Sequence, residues 1–310
     1  MKEQLKIQAD GLSGHLDEIW PAVRDSAWLG RSGDGWEAFP YWLDGFIPLA
    51  YLLDDRTLIA KAEGYVDTVL SLQKADGWLC PCDDEARANY DMWPLFLISK
   101  ALINYYNFTK DTRIEKALLA AFHQFRGHIG RHMPSAWASA RWYEAIIAVK
   151  WLYERTGEKW LLDLAVLIKS GGLNYLDSLK LYEKVFPDFI FHTHVVNLAG
   201  ALKGDSLYDS LMLSKKVSGY KAKKLFSALT RRHSTAYGLF TGDEHLADDS
   251  PIQGTELCAV VESMFSFETL FSVTGDAYWL DRLEQTAFNA LPATVSPDMW
   301  THQYLQQVNQ

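Results

Sequence analysis

The sequence is poor in several features that would place a protein in a specialised class. Its 310 residues contain only three cysteines, Cys80, Cys82 and Cys258. An odd number in so long a chain argues against a disulfide framework and for reduced thiols or metal ligation. The net charge of -9 disfavours phosphate backbones as partners, because nucleic-acid binding depends on clustered Lys and Arg side chains. The one basic run is short and fits a solvated helix face: Lys221, Lys223, Lys224, Arg231 and Arg232. We therefore expect no nucleic-acid partner.

Long apolar runs and linkers are also scarce. No apolar stretch reaches the length expected of a membrane span, and Met1 to Lys6 lack the apolar region of a signal peptide. The sequence thus predicts no membrane partner and a cytoplasmic location, although an exported protein whose signal had been removed would look the same. Because no stretch rich in Gly, Ser or Pro divides the chain, we expect residues 1–310 to form one domain.

Apolar periodicity is helical almost throughout. Ile146, Ile147, Val149, Leu152 and Tyr153, for example, recur at the spacing of one helix face. Alternation typical of strands is rare, so the sequence predicts an all-α protein.

A short pattern recurs three times and indicates helical hairpins. The order aromatic-x-x-Thr-x-acid appears at residues 106–111, 153–158 and 271–276. Gly157 and Gly275 within it can adopt the left-handed conformation that ends a helix, and the following acid suits the start of the next helix. Stacked hairpins form either an open solenoid or a closed ring. Aromatic and polar residues cluster between the helices, which favours an α/α toroid with loops gathered at one mouth.

One stretch concentrates the reactive groups, namely Glu244, Glu256 and Cys258. Carboxylates can act as general acid, general base or metal ligand, and a thiol can be a soft ligand or a nucleophile. Thr255 is a candidate N-cap, so Cys258 would lie in the first helical turn, where the dipole favours thiolate. Residues i and i+2 face opposite sides of a helix, so Glu256 and Cys258 can share one ion only if the helix begins near Cys258. Alternatively, Glu256 caps the helix and Cys258 packs as a small apolar residue.

Other candidates combine aromatic rings with polar groups, as sugar-binding clefts do. The chain has 12 Trp, 15 Tyr and 15 Phe. His194 precedes an apolar helix and can face a sugar or cap that helix. Asp44 and Asp91 lie near Trp42 and Trp93, although helix capping explains either acid equally well. Cys80 and Cys82 lack the spacing of a structural zinc site and read more simply as a loop pair.

Several phrases together resemble glycoside hydrolase family 127, the β-L-arabinofuranosidase-like proteins. They are Gly11-Leu12-Ser13-Gly14-His15, Pro40 to Gly45, His194-Val195-Val196-Asn197, Glu256-Leu257-Cys258, and Thr274-Gly275-Asp276 leading to Ala287 to Ala293. The resemblance runs nearly end to end. It implies an (α/α)6 barrel whose funnel binds an arabinofuranose, with a zinc ion held by Glu and Cys residues.

Matched to this family, Glu256 and Cys258 correspond to zinc ligands, Glu244 to the acid/base carboxylate and His194 to a sugar-facing histidine. We expect Asp44, Trp93 and Trp142 to contact the sugar as well. The family's remaining zinc ligands and its nucleophile are an adjacent Cys-Cys pair, which this sequence does not contain. Trp142 and the region from Asp91 to Trp93 stand where better-studied members carry imidazole. We therefore expect either a fragment or a divergent branch with an altered substrate or no hydrolysis. The family-like text up to the last residue favours the fragment, a toroid that lacks its last helices and the family's C-terminal β-rich region.

The resulting hypothesis is a glycoside hydrolase that releases L-arabinofuranose or a related sugar, with a carbohydrate as its partner and zinc as its cofactor. Two alternatives stay open at this point. One is a metal-independent α/α-barrel enzyme, of the unsaturated-uronyl hydrolase or epimerase type, using Asp44 and Asp91 as a carboxylate pair. The other is a barrel that binds glycans without catalysis.

Overall fold

The computed structural model describes residues 1–131, 136–185, 189–250 and 252–307, and most of them are helical. Within these ranges the α-helices are, in chain order, α1 Lys2–Asp10, α2 Leu12–Ile19, α3 Pro21–Arg24, α4 Ala38–Leu53, α5 Arg56–Ser71, α6 Trp93–Thr109, α7 Thr112–Ile129, α8 Ala136–Ala140, α9 Trp142–Thr156, α10 Trp160–Gly171, α11 Val195–Leu213, α12 Tyr220–Arg232, α13 Leu257–Thr274 and α14 Tyr278–Asn289. Short strands are β1 Gly242–Asp243, β2 His245–Leu246, β3 Thr255–Glu256 and β4 Leu305–Gln306. Short 3-10 helices span Ala27–Leu29, Asp84–Asn89, Tyr175–Ser178, Leu181–Glu183 and Leu291–Thr294.

Five pairs of consecutive helices form hairpins, and a left-handed residue ends the first helix of each pair. The pairs are α4–α5, α6–α7, α9–α10, α11–α12 and α13–α14. Their left-handed residues are Asp54, Lys110, Gly157, Ser214 and Gly275, with φ between 48° and 73°. A residue in this conformation turns the backbone out of the helix and frees the last carbonyls for other donors.

The recurring threonine pattern has a single structural role. Thr109 Oγ1 donates to the carbonyl of Tyr105 at 2.9 Å and accepts from the backbone N–H of Asp111 at 3.2 Å. Thr156 and Thr274 make the same two hydrogen bonds at the ends of α9 and α13. Each threonine thus caps one helix and holds the start of the next connection. The predicted helix ends are confirmed at all three positions.

The chain folds as two compact units. The first comprises residues 1–138, 147–168 and 297–301, and the second comprises residues 139–146, 169–296 and those from 302 on. In the first unit α4 packs against α6, and Leu43, Ile47, Ile98 and Leu102 between them are inaccessible to solvent. The sequence predicted that residues 1–310 form one domain. The division into two compact units does not test this, so it stays a prediction.

The N-terminal phrase Gly11 to His15 has a packing role in the first unit. A Cβ at Gly14 would lie 1.9 Å from the carbonyl oxygen of Ala9, so only glycine fits where α1 meets α2. Trp42 of α4 donates its indole N–H to the carbonyl of Ser13 at 2.8 Å. This phrase therefore fixes how the first helices sit on α4.

In the second unit α11 and α13 run side by side in the same direction. Ser266 Oγ donates to the carbonyl of Ala199 at 2.6 Å midway along the pair. At their beginnings, side-chain atoms of His194 and Glu256 lie within 4.8 Å of one another. On the far side of α13 the rings of Phe267 and Trp279 stack at 5.9 Å and attach α14. The N-terminal ends of two parallel helices therefore meet at one place.

Helix α13 corrects one expectation from the sequence. Leu257–Thr274 is 18 residues long with a mean hydropathy of 1.3, so by length and composition it could cross a membrane. We expected no such segment. In the structure it packs against α11 and α14, which is the setting of a helix in a globular unit. Length and composition of one helix do not establish a membrane span.

Glycine positions on two helices allow a matched test of this packing. A Cβ at Gly200 of α11 would lie 2.4 Å from the ring of Tyr143, whose hydroxyl is fixed by the carbonyl of Asn197. We expect Gly200→Ala to lower the free energy of unfolding by about 1–3 kcal/mol through overpacking. Gly64→Ala on α5, with nothing within 4 Å, should raise it by about 0.5–1 kcal/mol. Urea denaturation of both variants checks the two signs, and a stabilised Gly200→Ala variant would contradict the packing.

Candidate active site

A small sheet brings the two carboxylates of the reactive stretch together. The strands pair in the order β2-β1-β3-β4, with β1 parallel to β3. Glu244 is the single residue between β1 and β2, and Glu256 ends β3. Gly242 pairs with Thr255, which sets the two acids side by side although twelve positions separate them in sequence. The segment around Glu244, expected to be a polar loop, is thus a tight β-hairpin turn.

Glu244 occupies an unusual backbone conformation. Its φ of 66° lies in the left-handed region that disfavours side chains other than Gly, Asn and Asp. The turn is held on both sides, since the carbonyl of Glu244 accepts from the N–H of Val195 at 3.0 Å and Asp243 pairs with His245. The side chain is 52% exposed. The fold therefore presents this carboxylate at the surface of the site.

Tyr304 joins the two carboxyl groups. Its hydroxyl oxygen lies 2.7 Å from Glu244 Oε1 and 2.8 Å from Glu256 Oε1. A phenol carries one proton, so it can donate to only one of them. The other contact is satisfied when that carboxyl group is itself protonated. Burial raises the pKa of Glu256, which favours its protonated form relative to a solvated carboxyl group.

His194 both caps a helix and faces the candidate site, the two roles that the sequence left open for it. It is the N-cap of α11, and its Nδ1 accepts from the backbone N–H of Asn197 at 3.2 Å. Burial, with a smaller contribution from the charge of Arg141, lowers its pKa to about 3, so the ring is neutral. A neutral ring that accepts at Nδ1 carries its proton at Nε2, which faces Glu244 Oε2 at 3.4 Å. The ligand atoms of His194, Glu244 and Glu256 all lie within 4.8 Å of one another, so His194 stands beside both carboxylates at a place where a metal ion could be held.

The start of α13 meets the backbone condition that the sequence set for Glu256 and Cys258 to share an ion. The helix α13 begins at Leu257, and Glu256 precedes it with extended backbone angles, so the two side chains are not forced onto opposite faces. Glu256 is the N-cap residue, where the sequence suggested Thr255. Its side chain makes no capping hydrogen bond, and Cys258 is exposed rather than packed as an apolar residue. Glu256 thus occupies the N-cap position without a capping side chain, and the ligand and packing alternatives for this pair both stay predictions.

The donor set fits a soft divalent cation. Glu256 is 2% exposed, and its Oε2 has no hydrogen-bond partner among the described residues. A buried carboxylate oxygen without a donor is costly unless a cation satisfies it. Cys258 adds a sulfur beside it, and zinc commonly takes this combination of ligands. Glu256 and Cys258 would supply two of its ligands.

The protonation of Cys258 differs from our expectation. The side chain of Cys258 reaches solvent, yet the protein atoms around its sulfur desolvate it and, together with the negative charge of Glu256, raise the pKa of the thiol to about 12. The helix start, which we expected to favour thiolate, is outweighed because a dipole contributes only about 0.3–1 kcal/mol. The residues of the site alone therefore keep this thiol protonated, and a bound cation is what would ionise it.

Two further residues of the site were missed by the sequence analysis. Asn197 is inaccessible to solvent, and its Oδ1 accepts from Arg141 Nε at 2.8 Å. The backbone of Asn197 also contacts His194 and Tyr143. Arg141 is 7% exposed, and its positive charge acts on His194, Glu256 and Cys258. Asn197 stood inside a family-like phrase, and Arg141 stood in one of the clusters of aromatic and polar residues between helices, Arg141-Trp142-Tyr143, without a role of its own.

The remaining predicted sugar contacts are engaged elsewhere. Asp44 binds Asn104 at 2.7 Å and Lys100 at 3.3 Å between α4 and α6. Trp93 is 1% exposed and donates its indole N–H to Glu37 at 2.6 Å. Both lie in the first unit, and their contacts favour packing roles. Their sugar-binding roles stay predictions.

Trp142 and Asp91 also have structural partners. Trp142 is 4% exposed, donates to the carbonyl of Leu173 at 3.1 Å, and forms part of the wall of a cavity of about 340 Å³ in the second unit. The carboxylate of Asp91 accepts from the backbone N–H groups of Trp93, Trp137 and Ala138 at 2.9–3.0 Å. With Asp91 and Asp44 both bound in this way, the metal-independent carboxylate pair has little support.

Comparison with known proteins decides the family. Residues 23–309 match the sequence profile of the catalytic domain of glycoside hydrolase family 127, β-L-arabinofuranosidase. The chain belongs to this family. No curated protein sequence matches it.

Solved structures of GH127 proteins share the fold. The GH127 β-arabinofuranosidase BT3674 aligns with a TM-score of 0.69 at 16% identity, over 98% of this chain and 54% of that one. A GH127 β-L-arabinofuranosidase from Geobacillus stearothermophilus T6 aligns with a TM-score of 0.63 at 15% identity, over 98% and 55%. An unsaturated glucuronyl hydrolase from Streptococcus agalactiae aligns with a TM-score of 0.62 at 11% identity, over 99% and 83%.

These matches confirm the resemblance and the fold class expected from the sequence, an all-α protein of the α/α-barrel type. The chain spans about half the length of the GH127 structures it matches. The assignments of zinc, Glu244, Glu256, Cys258 and His194 are untested by the comparisons and stay predictions.

The cap made by His194 can be separated from its contact with Glu244. His194→Ala removes the acceptor for the N–H of Asn197, whereas His194→Asn can retain a capping oxygen but loses Nε2. We expect the alanine variant to be less stable than the asparagine variant by about 0.5–2 kcal/mol. Urea denaturation of the pair measures the difference, and coincident unfolding curves would rule out the cap.

Proposed function

We propose that this GH127 domain belongs to a glycoside hydrolase that releases L-arabinofuranose or a related sugar from a glycan by a metal-assisted retaining reaction. One observation carries the proposal. Two carboxyl groups share the hydroxyl of Tyr304, yet one is exposed and the other is buried beside a thiol. Placing two similar acids in contrasting environments is how one site obtains two chemical roles.

Glu244 is suited to general acid/base chemistry. Its side chain is half exposed, so a glycosidic oxygen can approach it, and its backbone is fixed by the hairpin turn. Tyr304 and His194 orient both of its carboxyl oxygens. From this position Glu244 would donate a proton to the leaving oxygen and later accept one from water.

Glu256 and Cys258 would hold the zinc ion. When bound, zinc would keep the thiol ionised and supply Lewis acidity at the reacting sugar. Tyr304 fixes Oε1 of Glu256, which leaves Oε2 as the ligand atom. Arg141 contributes a fixed positive charge that favours the anionic forms of both groups.

The residues of this chain account for acid/base and metal-binding roles. A retaining reaction also needs a nucleophile, which the family carries on an adjacent cysteine pair. Residues 1–310 contain no adjacent cysteines, so we assign no nucleophile here.

Metal content tests the zinc assignment. We expect the purified chain to bind one zinc ion. We expect Cys258→Ala to weaken zinc binding by at least about tenfold, because it removes one of the side chains that would bind the ion directly. Cys82→Ala is the matched control and should bind as the parent does. Elemental analysis and competition with a chelating dye give stoichiometry and affinity. Turnover by a chain without metal would contradict the assignment and favour the metal-independent alternative.

Leaving-group dependence tests the role of Glu244. Glu244→Gln should lower kcat on a β-L-arabinofuranosyl disaccharide by about 10²–10⁴-fold, since it removes the proton donor. The loss should be smaller on the 4-nitrophenyl glycoside, whose leaving group needs little protonation. Glu268→Gln, an exposed acid on α13, is the control. An equal loss on both substrates would contradict the acid role.

If the parent chain shows no hydrolysis, its binding of sugar has to be measured. Calorimetry with L-arabinose and with the disaccharide then separates two outcomes. Binding together with zinc places the missing group outside this chain, whereas binding without zinc supports the non-catalytic glycan-binding alternative.

A further inference from the structure

A buried charged cluster lies in the second unit and is not used by the proposed chemistry. Lys203 of α11 is inaccessible to solvent, and its Nζ lies 2.5 Å from Glu144 Oε1 and 3.7 Å from Glu262 Oε2. Both carboxylates are largely buried as well, with side chains 3% and 13% exposed. The rings of Tyr143 and Phe265 flank the ammonium group at 4.9 and 4.8 Å. We call Glu144, Lys203 and Glu262 the buried triad.

Stability alone does not account for such a cluster. Moving charged groups out of water carries a large desolvation cost, and well-packed apolar residues of similar volume are often as stabilising or more so. What charged contacts add is directionality, because they are satisfied in one arrangement only. A role in fixing an arrangement is therefore the explanation that the energetics favour.

Each member of the triad lies on a helix whose beginning carries a residue of the site. Glu144 is in the first turn of α9, three residues after Arg141, which precedes that helix. Lys203 belongs to α11, which His194 caps. Glu262 lies one turn beyond Cys258 on α13, about 6 Å along the axis.

The register between α11 and α13 decides where the site groups meet. A slip of one residue moves a helix by about 1.5 Å and turns its side chains by about 100°. Such a slip would carry Glu256, at the start of α13, away from His194 and Glu244. The apolar contacts along α11 and α13 are non-directional and resist it weakly. The contact of Lys203 with Glu262, together with that of Ser266 with Ala199, resists it strongly.

We propose that the buried triad is a positioning element, which fixes the register of α9, α11 and α13 and thereby places Arg141, His194, Glu256 and Cys258 for metal and sugar. This inference rests on the proposed function for its consequence. The position of the first residues of α11 and α13 is a property of the fold, so it can be measured without any assay of zinc binding or hydrolysis.

The decisive variant replaces the triad by methionines of similar volume, Glu144→Met, Lys203→Met and Glu262→Met together. We expect its melting temperature to stay within about 4 °C of the parent, as expected when a buried ion cluster is replaced by packed apolar side chains. We expect zinc affinity to fall by about 10–100-fold, the usual effect of losing groups that orient metal ligands. Amide exchange of residues 255–260, followed by mass spectrometry, should be about tenfold faster without zinc.

The control is a more exposed ion pair that joins α11 to α12. Lys221 and Asp209 are 2.8 Å apart, with side chains 44% and 31% exposed. The double variant Lys221→Met, Asp209→Asn should change neither zinc affinity nor exchange at residues 255–260.

A second variant of the triad, Glu262→Gln, keeps the side-chain shape and removes one charge. If the triple variant does not fold, Glu262→Gln tests the positioning role in its place. We expect this variant to weaken zinc binding by about threefold or more and to speed amide exchange at residues 255–260.

The two hypotheses fail differently. A parent chain that binds no zinc overturns the proposed function, and the exchange measurement then tests the triad alone. A folded triple variant, or Glu262→Gln, with parental exchange and parental zinc affinity overturns the positioning role.

Discussion

The parallel packing of α11 against α13 is the constraint on which the site depends. Strands of two residues are too short to be stable by themselves, so the sheet that carries Glu244 and Glu256 is organised by the helices beside it. Because both helices begin at the same end, His194 and Glu256 meet without any long loop. Gly200 contributes by leaving room for the ring of Tyr143 against α11. Substitutions far from the carboxylates can therefore alter the geometry between them.

The electrostatics of the site separate its groups into distinct roles. His194 is neutral because burial lowers its pKa, and Cys258 is neutral because burial raises its pKa. Arg141 is the fixed positive charge that acts on both. Glu244 faces solvent, whereas Glu256 is enclosed with one oxygen lacking a donor among the described residues. A cation at Glu256 and Cys258 would satisfy that oxygen and ionise the thiol together, so binding would release protons.

Local signals in the sequence predicted much of the fold. The threonine pattern located three helix ends, because its hydrogen bonds involve only residues a few positions apart. The order of Glu256 and Cys258 at a helix start was also readable. The structural partners of the site were not, since Tyr304 reaches Glu244 across 60 positions and Arg141 reaches Asn197 across 56. The abundant aromatic residues misled in part, because Trp28, Trp93 and Trp279 lie in the cores rather than at a cleft. Pairings set by tertiary packing leave no local trace in one sequence.

The left-handed backbone of Glu244 has a consequence for how the protein can change. Glycine, asparagine or aspartate would relieve the strain at φ 66°, and each would shorten or abolish the side chain that Tyr304 and His194 hold. Selection for heat tolerance alone would thus drive this position away from glutamate. Variant libraries screened only for thermal stability would therefore enrich variants without activity. Engineering of the domain has to measure stability and activity together.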